Sequence, residues 1–177
     1  LKILDMKRML LFVAVLFVLT IVVSSFKPQT TSHKPSTVYT DTIRYSGEKH
    51  FANVQQLTFG GDNAEAYFSF DGKWIIFQKT YLKEGIPCDQ MYIGKVPAPG
   101  EKFEPKLIST GKGRTTCGAF LKDGKHVVYA STHLGADTCP PVPDRKKYGN
   151  KYIWPLYDSY DIFMADLDGK IVKQLTN

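Results

Sequence analysis

A short pattern of aromatic and turn residues occurs twice in this chain, with an offset of 52 residues. The first copy, residues 68–77, reads FSFDGKWIIF, and the second, residues 120–129, reads FLKDGKHVVY. An Asp-Gly pair between two apolar runs is a strong signal for a β-hairpin with a tight turn. The repetition therefore predicts two copies of one β-rich unit rather than an irregular single domain.

Each copy continues with two further candidate strands. The first has QMYI at 90–93 and PKLI at 105–108, and the second has DIFM at 161–164 and KQLT at 173–176. Four short antiparallel strands per repeat, which we label A to D, are typical of a β-propeller blade. One more strand without a unit of its own is predicted at Asn53 to Thr58.

These repeats resemble the WD40-like repeats of TolB-type β-propellers. The resemblance rests on the F-S-x-D-G-K and I-x-F spacing from Phe68 to Val96 and again from Phe120 to Gly169. It implies an all-β domain over 53–177, a partial propeller with four-stranded antiparallel blades at about 59–108 and 114–176. Propellers need about four or more blades. We therefore expect an N-terminal fragment, in which the strand at 53–58 would close a missing last blade.

The N-terminal quarter has a different composition. Met6-Lys7-Arg8 forms a basic start, residues 9–23 are almost entirely apolar, and small residues occupy positions 23 and 25. This pattern predicts a cleaved signal peptide over 1–25 or an uncleaved N-terminal anchor helix. Residues 26–52 are rich in Thr, Ser, Pro and Lys and are predicted to be a tether. The domain is accordingly expected to be periplasmic or secreted, or else membrane-anchored.

Charge and motifs exclude several classes of function. The formal net charge is +6, but residues 53–177 carry only +2 of it, without a Lys/Arg stripe interleaved with aromatics along the strands. We expect no nucleic-acid partner, and membrane contact only through the N-terminal segment. The G-x-S-x-G, H-E-x-x-H, P-loop and complete calcium-loop patterns are absent from the sequence. The chain is therefore expected to be non-catalytic, without cofactor or metal.

The three cysteines, Cys88, Cys117 and Cys139, form no C-x-x-C pair. In an exported protein, a disulfide is the natural use of two of them. The sequence leaves all three pairings open.

Alternating strand directions would bring the B-to-C and D-to-A connections to one end of the strands, which we call the loop end. The three cysteines lie there, as does a 27-residue connection, His133 to Ser159, whose prolines and aromatics indicate a packed lid. Polar residues also gather there: Asp62, Asn63, Glu65, Arg114, Thr115, Thr116, His133 and Asp137. These polar residues form either a solvated rim or a recognition surface. The long connection is either a cap over an exposed blade face or a loop that binds a ligand or partner. The candidate binding residues are Asn63, Glu65, Arg114, Thr115, His133 and Trp154.

The resemblance implies a non-catalytic scaffold that binds a protein or peptide partner in the cell envelope. Arg114 would be its main charged contact, and Trp154 an anchor or, if buried, the core of its own loop. The alternative is the propeller portion of a prolyl-oligopeptidase-type serine peptidase whose catalytic domain lies beyond Asn177.

Overall fold

The computed structural model describes residues 45–51, 54–149 and 151–177, and its strands form two four-stranded antiparallel sheets. The predicted signal or anchor over 1–25 and most of the predicted tether lie outside the described residues. Residues 45–51 contain turns and bends but no helix or strand. No helix among the described residues is long and apolar enough to cross a membrane.

Each sheet is a simple meander of consecutive strands. Sheet 1 contains β1 (Asp62–Phe68), β2 (Trp74–Tyr81), β3 (Ile86–Lys95) and β4 (Lys106–Leu107). Sheet 2 contains β5 (Thr115–Phe120), β6 (His126–Ser131), β7 (Asp161–Asp166) and β8 (Ile171–Gln174). Short 3-10 helices at Leu82–Glu84 and Arg145–Tyr148 lie in the β2–β3 and β6–β7 connections. The predicted all-β class and the four-stranded antiparallel repeat are confirmed.

The repeated Asp-Gly pairs form the predicted hairpin turns. Gly72 and Gly124 have positive φ angles of 70° and 66°, which glycine adopts without a Cβ clash. The Asp71 carboxylate accepts hydrogen bonds from the Ser69 hydroxyl and from the Lys73 N–H, at 2.7 and 3.1 Å. Side chain and backbone therefore fix the same turn, which sets the register of β1 against β2.

The two sheets pack face to face around one apolar core. Its buried members come from both sheets: Ile76, Met91, Ile93, Ile108, Phe120, Val127, Tyr129, Phe163 and Ala165. Gly118 in β5 lies so close to sheet 1 that an added Cβ would fall 2.8 Å from Ile76 Cδ1. Along β3, β6 and β7 the core residues are two positions apart, so one face of each strand packs on the other sheet.

A second, smaller cluster covers the other face of sheet 1. Ile75, Phe77 and Phe103 are buried there, with Leu57 and Tyr92 packed against them. Phe103 comes from the β3–β4 connection and lies over Gly94, where a Cβ would collide with its ring. This connection therefore closes part of the outer surface of sheet 1.

Two local predictions are wrong. Residues 54–58 belong to neither sheet, so the described part of the predicted strand at 53–58 is not a strand. Cys88 lies inside β3, not in the preceding connection, because β3 already begins at Ile86 and spans ten residues. The extended β3 carries Cys88 and Asp89 to the loop end as ordered strand residues.

Candidate functional site

The D-to-A and B-to-C connections, residues 82–85, 108–114 and 132–160, do meet at one end of the two meanders. Near the starts of β1 and β5, at the seam between the two sheets, polar side chains form hydrogen bonds from one sheet to the other. Thr115, at the start of β5, donates a hydrogen bond to the Asp89 carbonyl in β3 at 3.1 Å. Thr116 donates to Gln78 Oε1 in β2 at 2.9 Å. Thr115 is fully buried, so it connects the sheets and is not a surface contact.

Asp89 is the centre of charge at this seam. Its Oδ1 accepts a hydrogen bond from the Thr80 hydroxyl at 2.7 Å, and its Oδ2 lies 3.8 Å from Arg114 Nε. Both partners of the ion pair are only partly exposed, so it is less screened by solvent than a surface pair. The arrangement positions the Arg114 guanidinium at the boundary between protein and solvent.

Arg114 retains unused hydrogen-bonding capacity. Its Nε is shielded from solvent and has no hydrogen-bond partner among the described residues, since 3.8 Å to Asp89 is too long for one. The side chain is 21% exposed. The shielded Nε is itself closed to a ligand, so a carboxylate or carbonyl would have to bind the exposed part of the guanidinium, which Asp89 holds in place.

The first strand of each sheet adds one residue to this group. Glu65 in β1 and Cys117 in β5 lie at β-bulges, and both have positive φ angles, 50° and 55°. Burial raises the pKa of the Cys117 thiol, and the neighbouring Glu65 carboxylate raises it further. The pKa of Tyr160 is raised to about 12, mainly by burial, and it also responds to the charges of Arg114 and Asp89.

We call this set of residues the seam cluster: Glu65, Gln78, Asp89, Arg114, Thr116, Cys117 and Tyr160. Glu65, Arg114 and Thr116 were predicted from the sequence as polar residues of the loop end. Their partners Gln78, Asp89 and Tyr160 were not predicted. Gln78 and Asp89 fall within predicted or extended strands, and Tyr160 directly precedes β7. These three residues could have been predicted from the sequence, because each is a polar side chain near the loop end of a strand.

His133 has a structural environment. Its Nδ1 lies 2.9 Å from the Ser131 hydroxyl, and its ring packs against Phe163 in a tilted arrangement, with centroids 4.4 Å apart and an interplanar angle of 51°. Burial lowers its pKa, which favours the neutral ring. Ser131 is completely buried, so this Ser–His pair is closed to a substrate. The pair closes the end of β6 against β7.

The remaining polar residues of the predicted site bind locally. Asn63 donates a hydrogen bond to the Gly60 carbonyl at 3.1 Å. Asp137 forms an ion pair with Lys112 at 2.8 Å, and its carbonyl accepts from the Gly113 N–H at 2.9 Å. Asp137 therefore fastens the connection between the sheets to the long β6–β7 connection. Asn63 is exposed in β1, the strand that also contains Glu65 of the seam cluster.

The disulfide joins Cys88 to Cys139, and Cys117 is free. This bridge links β3 of sheet 1 to the β6–β7 connection of sheet 2, with a Cα–Cα distance of 6.0 Å. Beside it lies an open cavity of ≈ 670 Å³, whose apolar lining includes Ile86, Tyr92 and Leu107. One end of the long connection is thus covalently attached to the neighbouring sheet.

The distal part of that connection is not the packed lid that its composition predicts. Trp154 is 74% exposed and Leu156 is 92% exposed. Within the connection, the Tyr157 hydroxyl donates a hydrogen bond to the Pro141 carbonyl at 2.6 Å. The prolines and the disulfide order the base of the connection, while its apolar side chains face solvent.

Comparisons with known protein families, with curated proteins and with solved structures each found no match. Within the described ranges, no group of three or more His, Cys, Asp or Glu residues could hold a metal ion. At the loop end, the ion pair of Arg114 with Asp89 lies beside the hydrogen bonds that Thr115 and Thr116 form with sheet 1.

Proposed function

We propose that this chain forms part of an exported TolB-like β-propeller that acts as a non-catalytic protein-interaction scaffold in the cell envelope. The observation that carries the proposal is the equivalence of the stacking faces of the two sheets. In a propeller, every blade packs one face on the preceding blade and the other on the following blade.

Sheet 1 turns four apolar residues toward sheet 2: Ile76, Met91, Ile93 and Ile108. By strand register, their equivalents lie on the face of sheet 2 that points away from sheet 1: Val128, Ile162, Met164 and Leu175. The match includes the backbone. The Ile108 N–H donates to the Met91 carbonyl at 2.8 Å, and the Leu175 N–H donates to the Ile162 carbonyl at 2.7 Å.

The far face of sheet 2 therefore has the pattern of a stacking face. Ile162 and Leu175 are 42% and 45% exposed, whereas their equivalents Met91 and Ile108 are completely buried. A further sheet of the same repeat would cover this surface, as sheet 2 covers sheet 1. Burying such residues is worth about 25 cal/mol per Å² of apolar surface, so the gain favours continued stacking.

The outer face of sheet 1 also has the apolar pattern that packing on a preceding sheet requires. Its Ile75, Phe77 and Tyr92 are equivalent to Val127, Tyr129 and Phe163, which pack on sheet 1 from the other side. Phe103 and Leu57 cover part of this face. Each sheet thus has two apolar faces, and each face has the same pattern in both sheets. A ring of blades requires this, because every blade packs on a preceding and a following blade.

The Cys88–Cys139 bridge supports export, because disulfides persist in the periplasm and outside the cell. The sequence pattern of residues 1–25 supports the same route. We place the scaffold in the periplasm or outside the cell, in free form or attached through its N-terminal segment.

Partner recognition is assigned to the seam cluster, with Asn63 at its edge. Loops at one end of a propeller can vary without disturbing the packing of the blades. Arg114 is the residue whose loss should matter most, because arginine is enriched among interface hot spots and its guanidinium is already held by Asp89. The expected ligand is a carboxylate or a backbone carbonyl of a protein or peptide.

The test is cross-linking of the full-length protein in the cells that produce it, followed by affinity measurement with the captured partner. Arg114→Ala should weaken binding by about 2 kcal/mol or more, roughly thirtyfold. Lys125→Ala, an exposed cation at the opposite end of the strands, is the matched control. Equal binding by both variants would refute the assignment of this site. Peptide hydrolysis abolished by one substitution within 53–177 would refute the non-catalytic role.

A further inference from the structure

The β6–β7 connection exposes a group of large apolar side chains at its distal part, residues 140–149 and 151–157, which we call the basic–aromatic loop. Exposed there are Val142, Tyr148, Tyr152, Trp154 and Leu156. Exposed large residues usually occur singly on a soluble surface, and a group of them marks a contact with another body. The seam cluster does not include any of these residues.

The same loop concentrates positive charge. Arg145, Lys146, Lys147 and Lys151 stand against a single acidic residue, Asp144. The Asp144 carboxylate is engaged locally, since it accepts a hydrogen bond from the Lys146 N–H at 3.0 Å and begins the 3-10 helix. The loop therefore presents a net charge of about +3 in a domain that is otherwise nearly neutral.

Cations and aromatics are interleaved in space as well as in sequence. The Arg145 guanidinium lies 5.1 Å from the Tyr152 ring centroid, and Tyr152 meets Trp154 edge to face at 6.4 Å. Arg145, Tyr152 and Trp154 consequently form one continuous amphipathic surface. The Tyr157–Pro141 hydrogen bond and the Cys139 disulfide fix the base of this surface to the sheets.

We propose that the basic–aromatic loop docks the protein on the surface of an anionic phospholipid membrane. Trp and Tyr prefer the interface between headgroups and acyl chains, where one end of the side chain is apolar and the other is hydrated. Arg and Lys bind the phosphates, and Leu156 and Val142 enter the acyl boundary. This goes beyond the expectation from sequence, which assigned membrane contact to the N-terminal segment alone.

A lipid surface fits these observations better than another macromolecule does. Aliphatic side chains as exposed as Leu156 gain little from a nucleic-acid backbone. An acidic protein partner would satisfy the cations, but it would have to supply a separate pocket for each of several projecting apolar groups. A bilayer accepts all of them at once, and its anionic headgroups complement the charge.

The experiment measures the fluorescence of Trp154 and not vesicle binding alone, because the N-terminal segment of the full chain can bind vesicles independently. The protein has two tryptophans, so Trp74→Phe leaves Trp154 as the only tryptophan fluorophore. The full chain is reconstituted with vesicles of phosphatidylcholine alone or of an equimolar mixture with phosphatidylglycerol, each with brominated acyl chains as quencher. We expect quenching of Trp154 only with the anionic vesicles, and its loss at high salt.

The paired variant Lys146→Glu/Lys147→Glu should reduce the quenched fraction about threefold or more, since each basic residue near an anionic surface contributes to binding. The control Lys122→Glu/Lys125→Glu makes the same charge change at the opposite end of the strands and should leave quenching unchanged. Equal quenching of Trp154 by neutral and anionic vesicles, or none by either, would overturn the proposal. So would protection of Trp154 by a cross-linked protein without any lipid quenching.

Discussion

Glu65 and Cys117 occupy the same position in the two sheets, at the bulge of the first strand, and both adopt a left-handed backbone conformation. Their φ angles are 50° and 55°, and no other non-glycine residue among those described has a positive φ. In each sheet the bulge separates two runs of regular pairing with the second strand. The repeat therefore conserves a strained backbone geometry between two copies with different side chains, which indicates that the bulge belongs to the fold of the unit.

Because of this strain, glycine is predicted to be more stable than alanine at position 117, the reverse of the usual order in a strand. In an ordinary strand, glycine is less stable than alanine by about 0.5–1 kcal/mol. Because φ is positive at Cys117, we expect Cys117→Gly to be more stable than Cys117→Ala by about 1 kcal/mol, as judged by urea unfolding. The same comparison at Glu65 is the internal control. An alanine variant more stable than the glycine variant at both positions would show that the bulges are not strained.

A side chain at Gly118 is predicted to overpack the interface between the two sheets. An added Cβ would meet Met91 Cε and Ile76 Cδ1 across the interface between the sheets. We expect Gly118→Ala to lower the free energy of unfolding by about 1–3 kcal/mol, the usual cost of overpacking a core. The equivalent residue of sheet 1 is Ala66, which is exposed. A Gly118→Ala protein as stable as the parent would mean that the sheets are less closely packed than described.

The disulfide between Cys88 and Cys139 closes a loop with a sequence separation of 51. A chain-entropy argument for a loop of that length gives a stabilisation of about 4 kcal/mol. The double variant Cys88→Ala/Cys139→Ala should lose roughly this amount in urea unfolding. Cys117→Ser, which removes the free thiol, should change stability much less. If the two losses were alike, the bridge would not connect these two residues.

Acid should weaken the second hairpin turn. The pKa of Asp123 is lowered to about 2, first by the hydrogen bond with His126 and then by the Lys125 and His126 N–H groups. A carboxylate whose pKa is depressed in the folded state contributes stability above its unfolded pKa, and this contribution is lost as pH falls through the folded value. Thermal melts should therefore show a loss between pH 3.8 and about 2 that Asp123→Asn reduces. A variant with the same acid profile as the parent would contradict this account.

The hairpins and the four-stranded repeat could be predicted from the sequence because their signals are local. Asp71-Gly72 and Asp123-Gly124 specify turns through their own side chains and backbone angles. The consecutive apolar residues of β2 and β6 predict strands that are apolar on both faces. The strand bounds were less accurate. β3 continues back to Ile86 through Pro87 and Cys88, where it pairs with Tyr81, and this pairing is a tertiary effect.

The candidate site was harder to predict, since its essential contacts cross between the sheets. Arg114 has no sequence neighbour that identifies Asp89, 25 residues earlier, as its partner. The pairing of Cys88 with Cys139 likewise depends on how sheet 1 sits against the long connection. Trp154 illustrates the opposite problem, because its proline-rich surroundings predict packing, and only the three-dimensional structure shows that its ring is exposed.

Solvent accessibility of the far face of sheet 2 tests most directly whether the two sheets are propeller blades. Met164→Cys would be introduced into a Cys117→Ser background, in the protein purified from the cells that make it, and its rate of maleimide labelling compared with that of Lys125→Cys. We predict that the thiol at 164 reacts at least about tenfold more slowly under native conditions, and equally fast once the protein is unfolded, because in the proposed propeller a further sheet of the repeat would cover it. Equal native rates at the two positions would contradict it.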